Sequence, residues 1–98
     1  MKIDLTKEQM RAIHDEDDLV IDNEIWDYEC EEDNGENRDG RYRTYIYKRP
    51  SDNKYFKINL FYCRYGYDDY GYEDYMQDKT AYEVERKEVT TIEWVSVS

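Results

Sequence analysis

Carboxylates dominate the side chains that could do chemistry here: 25 Asp and Glu stand against 14 Lys and Arg, one His and two Cys in 98 residues. Carboxylate catalysis needs one acid raised by an apolar pocket beside another that stays ionised. A chain this short, with its acids in polar-patterned surface segments, offers little from which to build that pair. His14 falls at the end of a short exposed helical segment, and no GxSxG, P-loop, HExxH or dinucleotide fingerprint is present. Catalysis and cofactor binding are therefore not expected. Calcium sites are made of Asp and Glu oxygens, but neither Asp15-Glu16-Asp17-Asp18 nor Glu32-Asp33-Asn34-Gly35-Glu36-Asn37 fits the D-x-[DN]-x-[DN]-G loop with its closing Glu. Weak, nonspecific cation binding is the expectation, with no dedicated metal site. Cys30 and Cys63 make no CxxC and no zinc spacing with His14, and they read as reduced, packed thiols.

What remains is binding, and the location of the charge is the guide. Residues 15–39 hold thirteen acids against the single base Arg38, a local balance of −12 in a chain whose net charge is −11. Such a field repels nucleic acid and anionic membranes and attracts basic protein surfaces. Within it Asp27, Glu29 and Glu31 alternate, which on a strand would set carboxylates about 6.8 Å apart along one face. Glu32, Asp33 and Glu36 would continue that row as an anionic ridge, which Arg41 and Arg43 only partly offset. A second candidate surface is the stretch Tyr62–Tyr75, with six Tyr in fourteen residues interleaved with Gly and acids. Tyr gives contact area at low entropic cost, as in antibody paratopes. Tyr67, Asp68, Asp69, Tyr70, Tyr72, Glu73 and Asp74 are its candidate contacts, with Tyr45, Tyr47 and Tyr55 as possible extensions. The plainer account is that many of these rings cover a thin core.

These side chains need elements to position them. Thr6 as N-cap, Gln9 as its capping-box partner and Leu5 with Met10 as a hydrophobic staple predict a helix over about Lys7–His14, ended by the acids at 15–18. From Leu19 the period becomes two, and four strands follow. They are a first at about 19–32, two more separated by a long polar loop at Asp33–Gly40 and a tight turn at Pro50–Asn53, and a last at Ala81–Val97 bent near Val89. The fold class expected is α+β: a short N-terminal helix packed on a four-stranded antiparallel β-meander, as one domain over residues 1–98. Pairing Trp26 with Ile46, Tyr28 with Thr44 and Cys30 with Tyr42 makes even positions the core face and sets Glu29 by Arg43 and Glu31 by Arg41. It also gives the two cysteines opposite parity, so no bridge is expected. There is no apolar run long enough for a signal-peptide core or a membrane span, and a cytoplasmic location, in a bacterial host cell, is expected.

In size, acidity and tyrosine content the whole chain resembles the small phage and mobile-element inhibitors of host defence nucleases, in particular anti-CRISPR proteins directed at Cas9. No motif carries the resemblance. It implies a basic protein partner, a Cas9-type effector with its guide RNA, whose DNA-reading surface would be occupied by partial nucleic-acid mimicry. Direct nucleic-acid binding and membrane binding are not expected. The alternative is a phage accessory or structural protein that docks by sheet-edge pairing without mimicry.

Overall fold

The helix forms where its capping signals place it. In the computed structural model, which describes residues 1–66, 69–88 and 92–97, α1 spans Lys7–His14. The Thr6 hydroxyl accepts from the Gln9 amide (3.1 Å), and Gln9 Oε1 accepts from the Thr6 amide (2.8 Å). Leu5, Met10 and Ile13 are buried. The C-terminus closes in a Schellman arrangement: Asp17 N–H donates to the Ala12 carbonyl (2.9 Å) and Glu16 N–H to that of Ile13 (3.3 Å). Glu16 holds the left-handed position at φ 61°, where glycine is the unstrained residue.

The expected four-stranded meander is overturned. Among the described residues, eight antiparallel strands form one sheet, curled into a half-barrel. They are β1 (Lys2–Asp4), β2 (Leu19–Ile21), β3 (Glu24–Asn37), β4 (Gly40–Arg49), β5 (Lys54–Gly66), β6 (Asp69–Tyr72), β7 (Thr80–Glu88) and β8 (Ile92–Ser96). The order is β1-β7-β5-β4-β3-β2, with β6 also on β5 and β8 also on β7. Three local features enlarge the sheet. Asp22 and Asn23, both at positive φ (53° and 64°), make a two-residue turn that splits the expected first strand into the β2–β3 hairpin. The segment read as a long loop at 33–40 is mostly strand, closed by the Asn37–Gly40 pair. The expected last strand is an antiparallel pair, β7 with β8; the bend foreseen at Val89 lies outside the described residues.

Register departs from the expectation for a reason visible in the β4–β5 turn. Arg49 pairs with Lys54 across Pro50–Asn53, a turn held by the Arg49–Asp52 ion pair and by Asn53 at φ 57°. Odd positions of β4 then face even positions of β5, so Tyr45 opposes Ile58 and Tyr47 opposes Phe56. On β3 the register slips between Tyr28 and Cys30, a bulge at Glu29, and again between Asp33 and Glu36, where Gly35 sits at φ 86°. Cys30 therefore opposes Ile46 rather than Tyr42.

The helix-covered face carries the main core: Met10, Ile13, Leu19, Trp26, Tyr45, Tyr47, Phe56, Ile58 and Leu60. Tyr45 and Tyr47, expected on the solvent face, are core residues. Ile46 and Val84 are buried on the other face, where Tyr55 packs on Trp94 with ring centroids 4.9 Å apart. Neither cysteine is in a disulfide, as expected, but opposite parity is not the cause. Cys30 and Cys63 share the outer face, aligned with Ile46 and Gly40 of β4, six residues and so about 20 Å apart along that strand.

Where β6 and β7 part on the edge of β5, the Gln77 side chain replaces a strand. Its Oε1 accepts from Phe61 N–H and its Nε2 donates to the Phe61 carbonyl, both at 2.8 Å, and Nε2 also reaches the Glu73 carbonyl at 3.0 Å. Removing a buried amide that satisfies both groups of one residue leaves orphans costing about 1–3 kcal/mol each. Gln77→Ala is expected to lower unfolding free energy by about 2–3 kcal/mol in urea denaturation. Glu16→Gly is expected to raise it, by up to about 1 kcal/mol, by removing the left-handed strain; a fall would show that Glu16 makes a compensating contact.

Candidate functional site

A groove of about 550 Å³ lies where the α1–β2 connection meets β3 and β4. The β-bulge builds it. By shifting parity at Glu29 it puts Tyr28 and Glu31 on the same face as Tyr45 and Tyr47, past the cover of the helix. Glu31 Oε1 accepts from the Tyr28 hydroxyl (3.1 Å), while its Oε2 pairs with Arg43 Nη1 (3.1 Å). The Tyr28 and Tyr47 rings meet edge to face, 5.9 Å apart at 76°. Tyr28 is 52% exposed and Tyr47 only 6%. Trp26, Leu19 and Ile13 add apolar wall, and Ile25 and Asp27 complete the β3 side. The opposite rim is Glu16, Asp17 and Asp18, aimed there by the tight reversal at the helix C-terminus.

The expected ridge does not form as a single row. Asp27 precedes the bulge and Glu31 follows it, so they lie on opposite faces, with Glu29 as the bulged residue between them. Glu31 and Asp33 flank Arg43, each at 3.1 Å, in place of the expected Glu29–Arg43 and Glu31–Arg41 pairs. Glu32 is exposed on the other face opposite Thr44, and Glu36 opposes Arg41 in backbone register.

In the tyrosine-rich stretch, Tyr67 and Asp68 lie outside the described residues. The others are largely occupied within the chain. Tyr70 lies under Arg41 and Arg64, with guanidinium carbons 4.9 and 5.4 Å from its ring, and accepts from Arg64 (2.7 Å). Tyr72 stacks on His14 at 4.5 Å, Asp74 pairs with Arg11 at 3.6 Å, and the Glu73 carboxylate accepts from the Tyr65 hydroxyl. Asp69 is exposed opposite Gly66. The structure thus brings Glu31 into the groove, leaves Asp27 at its β3 margin and distributes the remaining candidates elsewhere.

Comparison of the chain with protein-family models, curated proteins and solved structures finds no match. Function must be argued from the geometry. Among the described residues no three His, Cys, Asp or Glu side chains are grouped to hold a metal ion, and no helix is long and apolar enough to cross a membrane.

The groove residues that sequence reasoning missed are Glu16, Asp17 and Asp18, read only as a helix stop, and Trp26, Tyr28, Tyr45 and Tyr47, read as core or as the wrong face. Glu16, Asp17, Asp18 and Asp27 form no ion pair among the described residues, whereas Glu31 and Asp33 share Arg43. Four acids of the groove lining are therefore left without an internal counter-charge. The phenols are shifted by burial and by other neighbours: Tyr47 is pushed up to about 12, by burial first and then by Tyr45, Tyr28 and Glu31. Tyr28 rises to about 12 through desolvation and its bond to Glu31, and Tyr72 rises likewise, by burial and then Asp74. Tyr62 rises too, by burial and its bond to Tyr45.

A phenol that keeps its proton to higher pH when folded than when unfolded (about 10) supports the fold fully below pH 10. That support is lost as pH climbs through the folded value. The urea midpoint is expected to fall steadily between pH 10 and 12, with phenolate absorbance at 295 nm lagging that of the unfolded chain. Tyr47→Phe should flatten the fall; an unchanged pH slope in that variant would remove Tyr47 from this account.

Proposed function

We propose that the chain is an acidic protein inhibitor that occupies a basic, nucleic-acid-binding surface of a bacterial defence nuclease, of the guide-loaded Cas9 type, in the host cytoplasm. The observation that carries the reading is the set of four carboxylates at one groove, Glu16, Asp17, Asp18 and Asp27, with no ion-pair partner among the described residues. An uncompensated anionic site of this kind attracts lysine- and arginine-rich surfaces and repels nucleic acid. A surface that binds the phosphates of a duplex or a guide–target hybrid offers the matching positive charge. Mimicry in this reading is of charge density around a groove, since the bulge at Glu29 rules out a phosphate-spaced row.

A second reading, docking by strand addition without mimicry, is favoured by one observation. β2 is the outermost strand of its side of the sheet, and the β2–β3 hairpin exposes Val20 (44%) and Ile25 (55%).

Association with guide-loaded Cas9, with and without target DNA, at 50 mM and 300 mM salt separates the two. Charge-driven binding is expected to weaken about tenfold or more across that range, to be lost when target is already bound, and to fall about tenfold in Asp17→Asn/Asp18→Asn/Asp27→Asn. These side chains are exposed, so the fold should persist. Binding indifferent to salt and to the triple variant would favour the strand-edge reading, and binding to no form across several Cas9 homologues would overturn the nuclease assignment.

A further inference from the structure

The groove has features that a merely acidic surface lacks. Its volume, about 550 Å³, lies in the range of small-molecule sites. It is walled by the exposed ring of Tyr28 and the buried ring of Tyr47 set edge to face, with Tyr28 held in place by Glu31. Two side chains more than nine-tenths buried also belong to its lining, Tyr47 (6% exposed) and Trp26 (3% exposed). The Trp26 indole N–H is buried and has no hydrogen-bond partner among the described residues, which costs stability unless something else satisfies it.

We infer that this groove receives a single arginine side chain presented on an extended segment of the protein partner, with Tyr28 and Tyr47 as its aromatic walls and Asp17, Asp18 and Asp27 as its counter-charge. The chemistry favours arginine over lysine. A guanidinium stacks on an aromatic face and donates to carboxylates in its own plane at the same time, whereas an ammonium is a compact, strongly hydrated charge. The Tyr47 hydroxyl can accept from the guanidinium. This rests on the reading of the chain as a binder of basic protein surfaces, and names the group that its groove recognises.

The test is titration of the full chain, isotope-labelled for NMR, with Ac-Gly-Arg-Gly-NH2 and with the same peptide carrying lysine or citrulline in place of arginine. The arginine peptide is expected to give saturable shifts at the Trp26 indole N–H and at the amides of Asp27, Tyr28 and Glu31. The citrulline peptide, isosteric but uncharged, should bind at least about tenfold more weakly, with lysine between them. Tyr28→Ala, at a half-exposed position, should lose the interaction, and Asp18→Asn/Asp27→Asn should weaken it while the rest of the spectrum stays folded. Equal shifts from the arginine and citrulline peptides, or saturable shifts confined to another surface, would overturn the inference. So would the absence of peptide binding in a chain that still binds Cas9 with strong salt dependence, and in that case the inhibitor reading survives alone. Peptide binding without any Cas9 association supports the arginine site and sinks the nuclease assignment.

Discussion

The pairing of Arg49 with Lys54 is the constraint on which the other features depend. A connection of four residues, Pro50–Asn53, locks β4 to β5 with odd positions opposite even ones. That one parity decides that Tyr45 and Tyr47 enter the core beside Phe56 and Ile58, and that Ile46 is buried on the far side. A strand offers no intermediate solution, because a slip of one residue exchanges every side chain between faces. The Arg49–Asp52 pair and the left-handed Asn53 hold the turn, and Asp52 is drawn down to about 2 chiefly by its hydrogen bond to Arg49. With β4 so placed, burying both of its faces requires a sheet wider than a four-stranded meander. The strands β7 and β8 supply Val84 and Trp94 to the second face.

The bulge at Glu29 follows from the same placement. Before it, Trp26 must lie on the helix-covered face to meet Phe56, with ring centroids 4.8 Å apart. After it, strict alternation would have put Cys30 and Glu32 on that face and Glu31 and Asp33 away from Arg43. One extra residue resolves the conflict, and Glu31 and Asp33 come to bracket the guanidinium. The consequence for function is a sorting of charge. Glu31 and Asp33 beyond the bulge are tied to an arginine, while the three acids of the α1–β2 connection line the groove without one, with Asp27 at its β3 margin. Groove and counter-charge are two products of one irregularity in the ladder.

How much of this could be read from the sequence varied with the range of the determining interaction. The helix was fully legible, because Thr6, Gln9, Leu5 and Met10 are neighbours and cap each other locally. The tight turn at 50–53 was legible for the same reason. Strand existence from Leu19 onward was clear from alternation, but strand number was not. Asp22-Asn23 as a primed turn is a two-residue signal inside what looks like one continuous strand, and Asn34-Gly35 marks a bulge where a loop is the simpler guess. Register failed because hydrophobic and charge patterns agreed on a wrong solution: even positions on β3 to β5 are apolar often enough to satisfy either parity, since β4 alternates Tyr42, Tyr45, Ile46 and Tyr47 on both faces. Of the groove lining, Asp27 and Glu31 were legible only as members of a straight ridge, which the bulge at Glu29 breaks. Glu16–Asp18 were seen only as a helix stop, because their approach to β3 and β4 is set by tertiary packing. The tyrosine-rich stretch misled by composition, since its rings at Tyr70 and Tyr72 stack on arginines and histidine of the same chain.

Carrying four unpaired carboxylates around one groove is a standing repulsion, and the chain bears it where water screens it best. Glu16, Asp17, Asp18 and Asp27 are all exposed, so the repulsion is weak in the free protein. Covering the groove with a neutral surface would bury these charges without compensation, at a cost that rises steeply as water leaves. Covering it with a cation reverses the sign, because the same loss of water strengthens the attraction. In the proposed reading, selectivity against neutral and acidic partners follows from the location of the charge, independent of how closely the surfaces fit. The strained backbone at Glu16 fits this logic: a glycine there would relax the turn but would remove one of the carboxylates on which the discrimination depends.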